Sequence, residues 1–142
     1  MCPLGERYVR PPVIYIAGPD VFKRNANEVY GSYAALCSEH GAECLFPNDE
    51  VIEPAETREA FARNIYRSNI NMIARCDLVI ANVEPFRGPS MDVGAAFEIG
   101  HARAMGKPII ALPSEPLAPH SERLKDYYGE IQKGYLGYRS VA

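Results

Sequence analysis

Four short apolar runs punctuate the chain, at 13–17 (Val-Ile-Tyr-Ile-Ala), 42–46 (Ala-Glu-Cys-Leu-Phe), 78–83 (Leu-Val-Ile-Ala-Asn-Val) and 108–112 (Pro-Ile-Ile-Ala-Leu). The first, third and fourth are nearly unbroken by polar residues, the pattern of strands buried on both faces. Each run ends in a breaker: Gly18-Pro19, Pro47-Asn48, Pro85 and Pro113. Between them, apolar residues recur every three or four positions, which predicts helices. Residues 26–40 carry Val29, Tyr33, Leu36 and Cys37 and stop at Gly41. Residues 55–76 follow Pro54 and carry Phe61, Ile65, Tyr66, Ile70 and Ile73. Residues 93–105 carry Val93, Phe97, Gly100 and Ala104 and close at Gly106.

Strands alternating with helices predict an α/β fold, a parallel sheet covered on both faces. The length of 142 residues suits one domain spanning 1–142, with a core over 13–112 and a tail over 113–142. In the tail, Pro113, Pro116 and Pro119 precede one short predicted helix near 121–132 and no recognisable fifth strand. Four of the nine tyrosines (Tyr127, Tyr128, Tyr135 and Tyr138) gather there, suiting a contact with a neighbouring subunit, a cover over a pocket or a plain surface segment.

Composition narrows the function. Fifteen basic against 18 acidic residues leave a net charge of −3, the wrong sign for a nucleic-acid-binding domain. The apolar runs are too short to cross a bilayer, and the first residues lack the apolar core of a signal peptide, so the expectation is a soluble, cytoplasmic domain with no nucleic-acid or membrane partner. Cys37, Cys44 and Cys76 sit inside apolar patterns and are expected as small core residues, not as a disulfide framework. With His40, His101 and His120 scattered, no metal site is expected.

Ligands of an open parallel sheet bind beyond the carboxyl ends of its strands. The segments to inspect are therefore 18–22 and 84–92, the second of which leads into the helix holding Glu98. On that helix the neighbours of Glu98 at three and four positions are Gly94, Ala95, His101 and Ala102, and the three small ones leave room for a ligand ring. A plainer alternative points Glu98 to solvent or pairs it with Arg103 or His101. Asp92 heads the same helix, as its N-cap or as a second carboxyl facing the crevice. Two carboxyls in different environments can divide the work of nucleophile and acid, and Tyr15, on the first strand, lies beside them in this topology. Gly18-Pro19-Asp20 matches neither a dinucleotide fingerprint nor a P-loop, and Asp20 would repel a phosphate. Lys23, Arg24, Arg87 and Ser90 are the groups left for an anion.

Residues 14–22 (Ile-Tyr-Ile-Ala-Gly-Pro-Asp-Val-Phe), 76–82 (Cys-Asp-Leu-Val-Ile-Ala-Asn) and 91–102 (Met-Asp-Val-Gly-Ala-Ala-Phe-Glu-Ile-Gly-His-Ala) together resemble the nucleoside 2-deoxyribosyltransferases. The resemblance runs from about Val13 to Leu112, and its specific part is the block from Asp92 to Gly100. It implies a flavodoxin-like (Rossmann-like) three-layer sandwich with a parallel sheet of four to five strands. It also implies transfer of 2-deoxyribose between bases, with 2′-deoxynucleosides and free nucleobases as partners, no cofactor, and a homo-oligomer. The family's nucleophilic glutamate falls on Glu98, its aspartate near the nucleobase on Asp92, and its orienting tyrosine on Tyr15. Phe22 matches an aromatic near base and sugar, and Asn69 stands where the family has a further aspartate. With Gly18, Asp20, Arg87, Ser90 and Gly94, these make up the expected substrate contacts. Asp77 is expected to shape the turn before the third strand. The family's C-terminal Asn-Leu-Met segment, which reaches into a neighbour's site, has no counterpart in the chain. Two other readings stay open: a 2′-deoxynucleoside 5′-monophosphate N-glycosidase on the same fold, which Ser90 fits and Asp20 does not, and a silent nucleotide-sensing module.

Overall fold

The structure is a computed structural model that describes residues 10–47, 49–113 and 118–128. The four apolar runs form strands β1 (Val13–Ala17), β2 (Glu43–Leu45), β3 (Leu78–Asn82) and β4 (Ile109–Leu112). They pair in the order β2-β1-β3-β4, every pairing parallel, so the order reverses between β1 and β3. The intervening patterns form α1 (Ala26–Glu39), α2 (Arg58–Arg75) and α3 (Val93–Ala104), and a fourth helix, α4, runs His120–Tyr128. The rest of the helix expected near 121–132 lies outside the described residues. Pro54 does not open α2; Thr57 does, its Oγ1 accepting the Ala60 N–H at 3.1 Å as an N-cap.

Period-2 alternation along β1 sends Tyr15 and Ala17 to one face of the sheet and Ile16 to the other. Helices α2 and α3 cover the Tyr15 face. There Tyr15, Ala17, Met72, Ile73, Cys76, Val79, Ala81, Ala95 and Ala102 make one buried cluster. Alanine on both sides of this contact brings the α3 backbone close to the strands, because neither surface carries bulk. Helix α1 lies toward β2 on the opposite face. It leaves β4, an edge strand, thinly covered: Ile110 is 47% and Leu112 52% exposed, where burial on both faces was expected.

Two further expectations change. Phe61, Tyr66, Val93 and Phe97 point outward, and Ser68, Met72 and Ile73 are the buried residues of α2. Cys76 is core, but Cys37 and Cys44 are joined as a disulfide (Cα–Cα 6.4 Å). The reversal at Gly41 (φ 72°) folds the end of α1 back beside β2 and brings the two cysteines together.

Asp77, expected to shape the turn before β3, instead reaches across to the neighbouring strand. Its carboxylate accepts the Val13 N–H at 2.8 Å and both Arg10 guanidinium nitrogens at 2.8 and 2.9 Å, pinning the start of β1 to the start of β3. These bonds hold the Asp77 carboxyl below its ordinary range. At the other end of the same strands, Gly18 has φ 149°, and a Cβ there would stand 2.8 Å from that of Asn82. Gly18→Ala is therefore expected to cost about 1–3 kcal/mol and to lower the thermal midpoint, since it adds a clash to backbone strain. An unchanged melting curve would show that β1 and β3 can part there freely.

Candidate active site

Glu98 is buried because of its phase on α3. Ala95 and Ala102, three residues before it and four after, are the helix's fully packed positions, so the stripe that meets the sheet carries Glu98 with it. The side chain lands on Tyr15 of β1, whose hydroxyl donates to Glu98 Oε1 at 2.9 Å. From α2, Asn69 Nδ2 donates to the same oxygen at 3.0 Å. Both donors converge on Oε1, and among the described residues none is bound to Oε2. Asn69 Oδ1, buried, has no partner there either.

Burial, with a small contribution from Asp92, pushes the Glu98 carboxyl up from 4.5 to about 7, against the opposing effect of the two hydrogen bonds. Burial first, and the Glu98 charge second, push the Tyr15 hydroxyl far above its ordinary value. Tyr15 therefore keeps its proton at any physiological pH and stays a donor. Asp92 caps α3, its Oδ2 accepting the Ala95 N–H at 2.9 Å. Cap and electrostatic neighbour are thus one residue. Gly94 gives that carboxylate its room, since a Cβ there would meet Asp92 Oδ2 at 3.0 Å.

The remaining expected residues fall into two places. Phe22 closes the 3₁₀ turn Pro19–Phe22 after β1 and stacks on Phe86 in the loop after β3, ring centroids 5.4 Å apart. Arg87 lies over both rings, and Ser90 contributes its carbonyl, which accepts the Phe86 N–H at 2.9 Å. Asp20 goes elsewhere. Its carboxylate is paired with Lys23 at 2.5 Å and accepts from Asn82 Nδ2 at 3.3 Å. With Ile16, Tyr33 and Ile80 it lines a cavity of about 320 Å³ on the sheet face opposite Glu98. The structure thus gathers Tyr15, Asn69, Asp92 and Glu98, and leaves Asp20 outside that group.

Tyr30 and Phe46 were not anticipated. Tyr30, on the first turns of α1, stacks on the buried Phe46 at 4.5 Å. Its hydroxyl is pushed above the ordinary range by burial and then by the charges of Asp20, Glu98 and Asp49, so it stands within electrostatic reach of Glu98. The only sequence signal was an aromatic residue at the head of the first helix, above the strand ends.

The profile of the family described as nucleoside 2-deoxyribosyltransferase matches residues 14–126. A protein of Schizosaccharomyces pombe described as uncharacterized is 30% identical over 119 residues, 82% of this chain and 56% of its own length. The chain thus spans little more than half of that curated relative. Among solved structures, the 2-desoxiribosyltransferase from Leishmania mexicana superposes with a TM-score of 0.69 at 34% identity, over 87% of this chain and 76% of its own. The 2-deoxyribosyltransferase from Bacillus psychrosaccharolyticus superposes with a TM-score of 0.58 at 17% identity, over 75% and 77% respectively, a likeness of fold.

The raised Glu98 carboxyl has a consequence for stability. The folded chain holds this proton to about pH 7, whereas an unfolded glutamate releases it near 4.5, so stability falls as pH rises through that window. Glu98→Gln keeps an Oε1 able to accept both bonds and removes the charge. It is expected to stabilise the fold by on the order of 2–3 kcal/mol at about pH 8 and by almost nothing at about pH 4, read from urea melts. A gain of equal size at both pH values would mean that ionisation is not its source.

Proposed function

Since the chain belongs to the nucleoside 2-deoxyribosyltransferase family, we propose that it transfers 2-deoxyribose between nucleobases by double displacement, with Glu98 as the nucleophile. The observation that carries this reading is the asymmetry at Glu98: two donors hold Oε1, which leaves Oε2 to form a bond. Oε2 attacks C1′ of a 2′-deoxynucleoside from the face opposite the base, the bond from C1′ to the base breaks, and a deoxyribosyl ester of inverted configuration forms. Burial favours this step, because a desolvated carboxylate loses its charge on becoming an ester. A 2-deoxy sugar suits it too, having no electron-withdrawing 2′-hydroxyl to oppose the positive charge growing at C1′.

The departing base takes a proton from Asp92 at a ring nitrogen. Tyr15 and Asn69 keep the carboxylate oriented as its charge falls and returns, and the unpartnered Asn69 Oδ1 calls for a donor on the substrate. A ring nitrogen of a second base attacks C1′, the ester bond breaks to free Glu98, the incoming base returns its proton to Asp92, and the configuration is restored. Side chains supply both nucleophile and acid, so no metal or organic cofactor enters. The reading extends to a cytoplasmic homo-oligomer. Val93, Tyr66 and Phe97 stand exposed on the outer side of α2 and α3, the kind of apolar patch that marks an association surface.

The test is to incubate the protein with deoxyinosine or thymidine, with and without free adenine, and to separate the products. Deoxyadenosine is expected only where adenine is present. Free base without a new nucleoside would favour hydrolysis, to be followed on deoxynucleoside monophosphates; ligand binding without base release would favour a silent module. Glu98→Ala is expected to abolish turnover and labelling by one deoxyribosyl group; full activity in that variant would sink the assignment.

The pH profile gives a second check. Glu98 must be ionised to attack, so the rate is expected to fall as pH drops below about 7. The Tyr15 bond lowers the Glu98 value, so Tyr15→Phe should move this acidic limb to higher pH as well as slow the reaction. An unmoved limb would separate Tyr15 from the nucleophile.

A further inference from the structure

Arg87 holds the one positive φ, 55°, found at a non-glycine among the described residues. The left-handed region costs an arginine on the order of 1 kcal/mol that a glycine would not incur. The turn itself gains nothing from arginine, so what this residue contributes is its head group.

The head group is deliberately held. Its central carbon lies 5.1 Å from the Phe22 ring centroid and 4.8 Å from that of Phe86, and the rings are stacked on each other at 14°. This platform bridges the ends of β1 and β3, where the strand order reverses. The Phe86 N–H to Ser90 carbonyl bond closes the turn, and Arg123 Nε braces it by donating to the Pro89 carbonyl at 2.9 Å. The loop then leads straight to Asp92 at the head of the Glu98 helix. A guanidinium lying over aromatic rings keeps its in-plane N–H donors for another partner. Among the described residues the acidic partners of salt bridges are Asp20, Glu50 and Asp77, and they serve Lys23, Arg75 and Arg10.

We propose that Arg87 is a specificity-determining residue that grips, through this N–H fork, a pair of acceptor atoms on the substrate. Two sources present such a pair: the oxygens of a 5′-phosphate on the deoxyribose, or O6 and N7 of a 6-oxopurine base. The inference rests on the transfer reading above and names the substrate chemistry that its site selects.

The experiment compares wild type, Arg87→Met and Arg87→Lys on deoxyinosine, deoxyadenosine and their 5′-monophosphates, with free cytosine as acceptor throughout. Arg87→Met is expected to raise KM about tenfold or more for one class only, with the loss in KM rather than kcat. Arg87→Lys, which keeps the charge and loses the fork, should fall between. A loss confined to both monophosphates identifies the phosphate; a loss confined to the two inosine compounds identifies the purine edge. Equal change on all four substrates, or no change on any, overturns the proposal.

Arg87→Gly, which relieves the backbone, should match the Met variant in selectivity while melting no lower, so misfolding cannot imitate the result. Thermal shifts of Glu98→Ala and of the Glu98→Ala, Arg87→Met double variant with the same four compounds read the grip without turnover. Failure of base exchange in the wild type therefore strikes the transfer reading, whereas equal thermal shifts in Glu98→Ala and in the double variant with all four compounds strike this one.

Discussion

The site depends on how near a helix can come to a sheet. Glu98 reaches Tyr15 because alanines line both sides of the contact, Ala95 and Ala102 on α3 and Ala17 and Ala81 on the strands. A larger side chain at any of the four would lift the helix, and a lift of one ångström would break a bond of 2.9 Å. The same closeness strips water from the carboxylate and raises its proton affinity. Packing and reactivity are therefore one property of this interface, and neither can be adjusted alone.

Tyr15 and Asn69 reduce the cost of that burial without removing it. Each supplies a neutral donor, which favours the anion less than a cation would and leaves the carboxyl near 7. A lysine or arginine in their place would pull the value far down and leave a quiet ion pair. Neutral donors keep the group poised between its charged and uncharged forms, the condition a carboxylate needs if it is to be esterified and released in one cycle.

Much of this was legible in the chain. The four strands and the three crossover helices follow from apolar runs and breakers, and the family resemblance carried by the block from Asp92 to Gly100 implies that Tyr15 orients Glu98. The helix faces were not. On α2 and α3 apolar residues occupy more than one stripe, so periodicity alone favours the large ones, Phe61, Tyr66 and Phe97. Close packing instead selects the slim or flexible ones, such as Ser68, Met72 and Ala95. Asn69 is expected among the substrate contacts, and its further bond to Glu98 depends on the register of α2 against α3, a tertiary property that no local pattern records. The pairing of Asp20 with Lys23, three residues on, is local in sequence but takes the 3₁₀ turn after β1 to form. Tyr30 and Phe86 matter through contacts between elements that no local pattern records.

One set of bonds fastens the amino-terminal ends of the strands, away from the loops that follow them. Asp77 and Arg10 tie the amino-terminal ends of β1 and β3. Lys107, just before β4, donates to the Ala74 and Cys76 carbonyls that close α2. This clamp thus sits at the opposite end of the strands from the loops that carry Phe22, Phe86 and Arg87. The loops at the carboxyl ends can be rewritten in sequence and length with little disturbance of the clamp, which makes the sheet a chassis on which new specificities can be mounted.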